Sequence, residues 1–224
     1  MFGVVVVGKR SYDQHCAVAR ALDVVGERWT LLLVRELLTG PKRFKDLLGG
    51  LPGIGTNLLA ARLKALEGHG VVRRATLPPP AGSGVYELTE MGRSLEPAVV
   101  ALSRWGSRLI EEPRDGDECR SAWVVMAIRS LFEPAAGGLR ETYELRIDGE
   151  AFQLRVDGGS VEVRQGCADA PDVVVSGGAD TFLALSAGRL APGEALESGE
   201  LRIEGDGDVL ARCLRMLGSA TTAV

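Results

Sequence analysis

Residue types able to do covalent or redox chemistry are few and scattered in this chain. Its four cysteines, Cys16, Cys119, Cys167 and Cys213, form no CxxC pair, and His15 and His69 are the only histidines, so no metal-ligand cluster emerges. There is no GxSxG elbow, no phosphate-cradling glycine loop and no framed pair of carboxylates, and the acidic residues of the second half are expected to alternate outward on strands as solvated charges. The expectation is therefore a protein that is not an enzyme and holds no cofactor or metal. What remains is hydrogen bonding and charge. Leu59, Leu63 and Leu66 cluster on one face of a helical wheel, with Asn57, Ala61 and Lys64 opposite and Thr56 and Ala60 at the edge. A helix with small and polar outer residues can enter a major groove, where Thr and Asn near its start reach base edges, Asn best suited to adenine. Lys42, Arg43 and Lys45 on the preceding helix, and Arg73 and Arg74 further on, are placed to meet phosphates. Arg62 lies nearer the apolar side, so a DNA contact and an intramolecular ion pair both stay open for it.

The elements that must position these residues follow from periodicity and punctuation. Helices are expected over Gln14–Val25 with Asp13 as N-cap, Trp29–Leu38, Arg43–Leu48 and Thr56–Glu67. Gly55 precedes the last of these, an acceptable though weaker cap. Val71–Thr76 and Val85–Leu88 read as a hairpin around the tip LPPPAGSG. Thr89 caps the next helix, and Pro97 favours a break near Ser94 with a new helix starting around the proline. Leu95, Ala98, Leu102, Trp105 and Leu109 then fall at heptad spacing on one side only, which suits a helix paired with another.

The charged run EEPRDGDEC is the best linker candidate. Beyond it an apolar helix over Trp123–Phe132 precedes alternating runs separated by Asp148-Gly149 and Asp157-Gly158-Gly159, the signature of an antiparallel meander. Further strands at Val173–Ser176 and Leu201–Glu204 alternate with helices over Ala179–Ala187 and Gly207–Leu217. The fold class expected is α+β: an N-terminal winged helix-turn-helix over residues 1–112, then an α+β domain over 119–219 with an antiparallel sheet covered by helices.

The succession GERWTLLLVREL, GPKRFKDL, LPGIGTNLLAARLKALE and YELTEMG resembles the HxlR-type transcription regulators, across about the first half of the chain. The resemblance implies a repressor that binds a palindromic operator in double-stranded DNA as a homodimer, with Leu95, Leu102, Trp105 and Leu109 in the dimer seam. Cys16 matches the position of a sensor cysteine in some of these regulators; a small buried hydrophobe is the other reading. In the second half, the run from Gly188 to Asp206, with GRL, then SGELRIEGD, resembles the sterol-carrier-protein domain. That family encloses apolar molecules, which implies a hydrophobic small-molecule ligand lined by Trp123, Met126, Phe132, Phe152, Leu154, Phe182 and Leu185, although each of these taken singly also reads as plain core. An alternative is a hydrophobic-ligand carrier whose winged helix serves dimerisation or docking.

Charge is unevenly shared. Residues 1–112 hold 15 Lys+Arg against 11 Asp+Glu, a net of +4, and residues 113–224 hold 11 against 19, a net of −8. A basic half joined to an acidic half suits a polyanion-binding module fused to something that stays off the polyanion. The opening MFGVVVVGKR has its apolar run before its charges and far short of the roughly twenty residues of a membrane span. It reads as an extension or as a start placed too early. A soluble protein of the reducing cytoplasm, without a membrane partner, is expected.

Overall fold

The computed structural model describes residues 11–78, 80, 82–107, 109, 120–131, 140–158, 160–206, 208, 209 and 212. Four helices come first: α1 (Ala17–Val25), α2 (Thr30–Leu38), α3 (Phe44–Gly50) and α4 (Thr56–Gly68). The antiparallel hairpin β1 (Val72–Thr76) and β2 (Gly84–Leu88) follows. Lys42 exchanges both backbone hydrogen bonds with Tyr86, which fastens the chain entering α3 to the hairpin. The Thr89 hydroxyl accepts from the Gly92 N–H and starts α5 (Glu90–Arg93), and Pro97 lies in the first turn of α6 (Glu96–Ser107). Both features follow the expected chemistry of cap and proline. The first helix differs. Asp13 has φ 52° and does not cap it; Cys16, in extended backbone, holds the N-cap position without a side-chain hydrogen bond.

The second half contains α7 (Ser121–Leu131), β3 (Arg140–Ile147), β4 (Glu150–Asp157), β5 (Ser160–Gln165), β6 (Val173–Gly177), α8 (Ala179–Ser186), α9 (Pro192–Glu197) and β7 (Leu201–Gly205). The sheet order is β5-β4-β3-β6-β7. The β3–β4–β5 meander forms as its turns dictate, with Asp148 at φ 50° and Gly149 at φ 83° making the tight β3–β4 turn. The sheet is not wholly antiparallel, because β6 runs parallel to β3. Helix α9, begun by Pro192, was not expected from the sequence. Of the expected last helix, only residues 208, 209 and 212 are among those described.

Two apolar cores result. Leu33, Val34, Leu47, Leu59, Leu63 and Leu66 centre the first. Tyr143, Leu145, Phe152, Leu154, Phe182 and Leu185 centre the second. Helix α7 serves both: Val124, Val125 and Ile128 enter the second core while Met126 enters the first. Two acids on β3 depart from the solvated pattern expected of them. Glu141 is buried beneath Tyr143 and Arg212, and Glu144 is buried, accepting from Arg146 at 2.7 Å and from the Ala168 N–H at 2.8 Å. A buried carboxylate is tolerable only with such partners.

Candidate nucleic-acid interface

Helix α4 forms because Leu59, Leu63 and Leu66 recur on one face, and burying them against α2 and α3 orients the opposite face outward. Thr56, Asn57, Ala60, Ala61 and Lys64 are all exposed. Gly55 supplies no side-chain cap, and the first turn contains no acid. The free N–H groups and positive end of the helix are therefore available to an anion such as a phosphate.

The structure divides the expected cations into three groups. Lys64 and Lys45 are exposed and have no ion pair among the described residues. Arg73 and Arg74 are exposed on β1 but lean on local acids, Arg73 on cross-strand Glu87 at 2.7 Å and Arg74 on Glu67 at 3.1 Å, with the Arg74 guanidinium 5.4 Å from the Tyr86 ring centre. Exposed pairs of this kind contribute about 0–1 kcal/mol, so a phosphate can displace them at little cost. Arg62 and Lys42 are turned inward instead, and of the two readings open for Arg62 the ion pair is the one found. Arg62 is half-buried, pairs with Glu27 at 2.9 Å and donates to the Arg28 carbonyl at 3.1 Å, so it ties α4 to the α1–α2 turn. Lys42 is half-buried and points its Nζ at Gln165 Oε1, 3.3 Å away, on the second half of the chain. Arg43 is half-buried at the start of α3, where the Asp46 carboxylate accepts its backbone N–H.

The seam that draws in Lys42 was not foreseen. At its centre Glu36, only 3 % exposed, accepts from Arg35 at 2.9 Å and from the Trp123 indole N–H at 2.8 Å, while the Arg35 guanidinium lies 4.5 Å from the Trp123 ring centre. Burial pushes the Arg35 pKa down, and adjacent Glu36 acts against that. The Gln165 N–H adds a backbone bond to the Thr39 carbonyl at 3.0 Å. Trp123 and Met126 are thus removed from the expected ligand pocket: the first is a seam residue and the second belongs to the other core. Phe152, Leu154, Phe182 and Leu185 do converge, but as fully buried neighbours in the second core. Phe132 lies outside the described residues, as do Cys119 and Cys213.

The residues expected at a dimer seam divide as well. Leu95 packs against the first core, whereas Leu102, Trp105 and Leu109 stand 48 %, 59 % and 62 % exposed. The other side of α6 is covered by α7, to which Glu96 pairs through Arg129 at 3.1 Å. Tyr12, Val18 and Leu22 on and before α1 are exposed too, and so is Cys16. Among the described residues no group of three or more His, Cys, Asp or Glu residues is arranged to hold a metal ion, and no helix is long and apolar enough to cross a membrane.

An outward helix after a glycine turn, joined to a basic hairpin, defines a winged helix-turn-helix. Residues 24–114 match the HxlR-like helix-turn-helix family, and residues 130–215 match the SCP-2 sterol transfer family. The HTH-type regulator sll1512 of Synechocystis sp., itself uncharacterized, is 35 % identical over 97 residues, 43 % of this chain and 72 % of that one. The HTH-type transcriptional regulator YodB of Bacillus subtilis is 36 % identical over 91 residues, 41 % of this chain and 81 % of its own. The reduced form of the redox regulator HypR is 34 % identical, with a TM-score of 0.39, covering 42 % of this chain and 92 % of that one. The chain belongs to the HxlR-like family of helix-turn-helix transcription regulators, and its second half is an SCP-2-type domain. Helix α7 begins between the two matched stretches, and only its last two residues, Ser130 and Leu131, fall inside the second.

Proposed function

We propose that the protein is a homodimeric repressor that reads a palindromic operator in duplex DNA, one α4 helix to each major groove. The observation that carries this reading is the exposed face Thr56, Asn57, Ala60, Ala61 and Lys64, without an acid among them. One such helix reads too few base pairs for useful specificity, and a second, about one helical turn of DNA away, supplies the rest. The exposed apolar residues of α6, together with those of α1, are the surface on which two copies would join. The protein would act in the cytoplasm and without catalysis. Footprinting on the DNA upstream of its own gene tests the reading: a protected, two-fold symmetric site is expected. Equal affinity for that DNA and random competitor at moderate salt would defeat it.

A second reading, favoured by the match to the SCP-2 family, is that the second half responds to a hydrophobic small molecule. Phe152, Leu154, Phe182 and Leu185 fill the core there, so an apolar ligand would have to displace them. Thermal shift with fatty acids, sterol-like compounds and aromatic polyketides, followed by DNA-release assays, tests it; no stabilisation by any of them removes it. Cys16 is exposed at the start of α1 and is the thiol an electrophile would reach first in the DNA-binding half. Alkylation followed by mass spectrometry checks that, with unmodified Cys16 as the opposing result.

A further inference from the structure

A cleft of about 700 Å³ opens beside the seam, within the size range of small-molecule sites. One wall belongs to the DNA-binding half: Glu36, Lys42, Lys45 and Asp46, with Gly49 and Gly50. The other belongs to the second half: Arg120 and Ser121 at the start of α7, Asp148 and Glu150 at the β3–β4 turn, and Gln165. Among the described residues the ionisable lining is three cations, Lys42, Lys45 and Arg120, and four carboxylates, Glu36, Asp46, Asp148 and Glu150, a net of −1.

Several of these groups are not consumed by the fold. Lys45 and Glu150 have no ion pair among the described residues. Glu36 spends Oε1 on both Arg35 and Trp123, leaving Oε2 facing Gly50, where an added Cβ would lie 2.7 Å from it. A glycine there keeps one oxygen of a buried carboxylate open toward the cleft. The first turn of α7 contains no acid. The N–H groups of Trp123 and Val124 bond the Arg120 carbonyl, so those of Ser121 and Ala122 are the ones that join Arg120 and the two lysines in favouring a carboxylate, while Glu36, Asp148 and Glu150 favour an ammonium or guanidinium.

We infer that this cleft binds a small amino-acid-like zwitterion carrying a net positive charge, with one carboxylate and two cationic groups. An apolar molecule would desolvate the six charged groups that water still reaches, Lys42, Lys45, Asp46, Arg120, Asp148 and Glu150, and offer them no partner, so the cleft suits a different ligand from the one implied for the sheet core. Because its walls come from both halves, an occupant bridges α3 to the β3–β4 turn and strengthens the docking of the SCP-2-type domain on the helix-turn-helix. Where the regulator reading holds, ligand and DNA affinities must then change each other by the same factor.

The test is calorimetry on the full chain without DNA, at moderate salt, with L-arginine and L-lysine as probes. Saturable binding of one or both, at one site per chain, is expected. Agmatine, which lacks the carboxylate, and acetate, which lacks the cations, should each bind at least ten-fold more weakly. Lys45→Met and Glu150→Gln change side chains that the fold does not use and should each weaken binding ten-fold or more, with unaltered thermal unfolding. Absence of heat with both amino acids, or binding indifferent to both variants, overturns the inference. Footprinting is run in parallel. Arginine binding without a DNA site would defeat only the regulator reading, and a DNA site without amino-acid binding would defeat only the cleft.

Discussion

Helices α3 and α4 are neighbours in sequence and both begin with groups suited to DNA, yet the molecule uses them differently. The outer face of α4 is left open. The approach to α3 is turned toward the SCP-2-type domain, with Lys42 on Gln165 and Thr39 bonded to the same residue's backbone. The difference shows that a basic residue next to a recognition helix is not free for phosphate by virtue of position alone. Where a second domain docks, part of the electrostatic footprint is spent inside the chain.

In the proposed dimer the largest effect should come from separating the two copies of α4. Leu102→Glu places a charge on an exposed apolar stripe, so the monomer should fold while the dimer fails. Loss of the linked second site should lower operator affinity by about 10²-fold or more, read by sedimentation and mobility shift together. An intact dimer for this variant would move the interface off α6. Next in size is Asn57→Ala on the open face of α4, which should relax preference at one base position per half-site by about 1–3 kcal/mol. A competition series over singly substituted operators measures this.

The docked side is probed by Trp123→Phe, which replaces the indole by a smaller aromatic ring and removes the donor to buried Glu36. Stability should fall by about 1–3 kcal/mol, and the loss should shrink when Glu36→Gln is already present. Additive losses in denaturant titrations would mean that the two groups are not coupled. A finer comparison sets Lys64→Ala against Lys42→Ala. The first should reduce the slope of log affinity against log salt by about one, and the second should leave that slope unchanged. The smallest effect concerns Asp206, whose carboxyl is held below its usual range by the N–H groups of Asp208 and Val209. A depressed folded pKa stabilises above the ordinary value near 3.9 and is lost as pH falls through the folded value. Asp206→Asn should therefore narrow the stability difference between pH 7 and pH 3 slightly, as followed by thermal melts.

How far the sequence reached depended on whether a residue's partners lie close along the chain. The α4 face was legible because Leu59, Leu63 and Leu66 declare the buried side by their spacing alone. The Thr89 cap, the Pro97 start and the Asp148-Gly149 turn were legible for the same reason, since each acts within a few residues. Glu36 was not. Within TLLLVRELL it reads as the solvated point of an amphipathic helix, and the residue that satisfies it, Trp123, is 87 positions away. Met126 and Trp123 failed as pocket residues because α7 is apolar around much of its circumference, and periodicity cannot say which of two cores each face meets. Glu141 and Glu144 were misjudged similarly: strand alternation ignores Arg212 and the loop N–H of Ala168, distant along the chain, that later satisfy them.

The place of Met126 has a consequence for dissecting the protein. Cutting the chain in the charged stretch after α6 would look, from the family matches, like a clean division into two modules. It would also withdraw a buried side chain from among the leucines of the helix-turn-helix and strip the indole from Glu36. A fragment ending near residue 112 should therefore be less stable than the same residues in the full chain, and one extended through residue 131 should recover part of the loss. The unit that can be transplanted intact is longer than the unit that can be recognised.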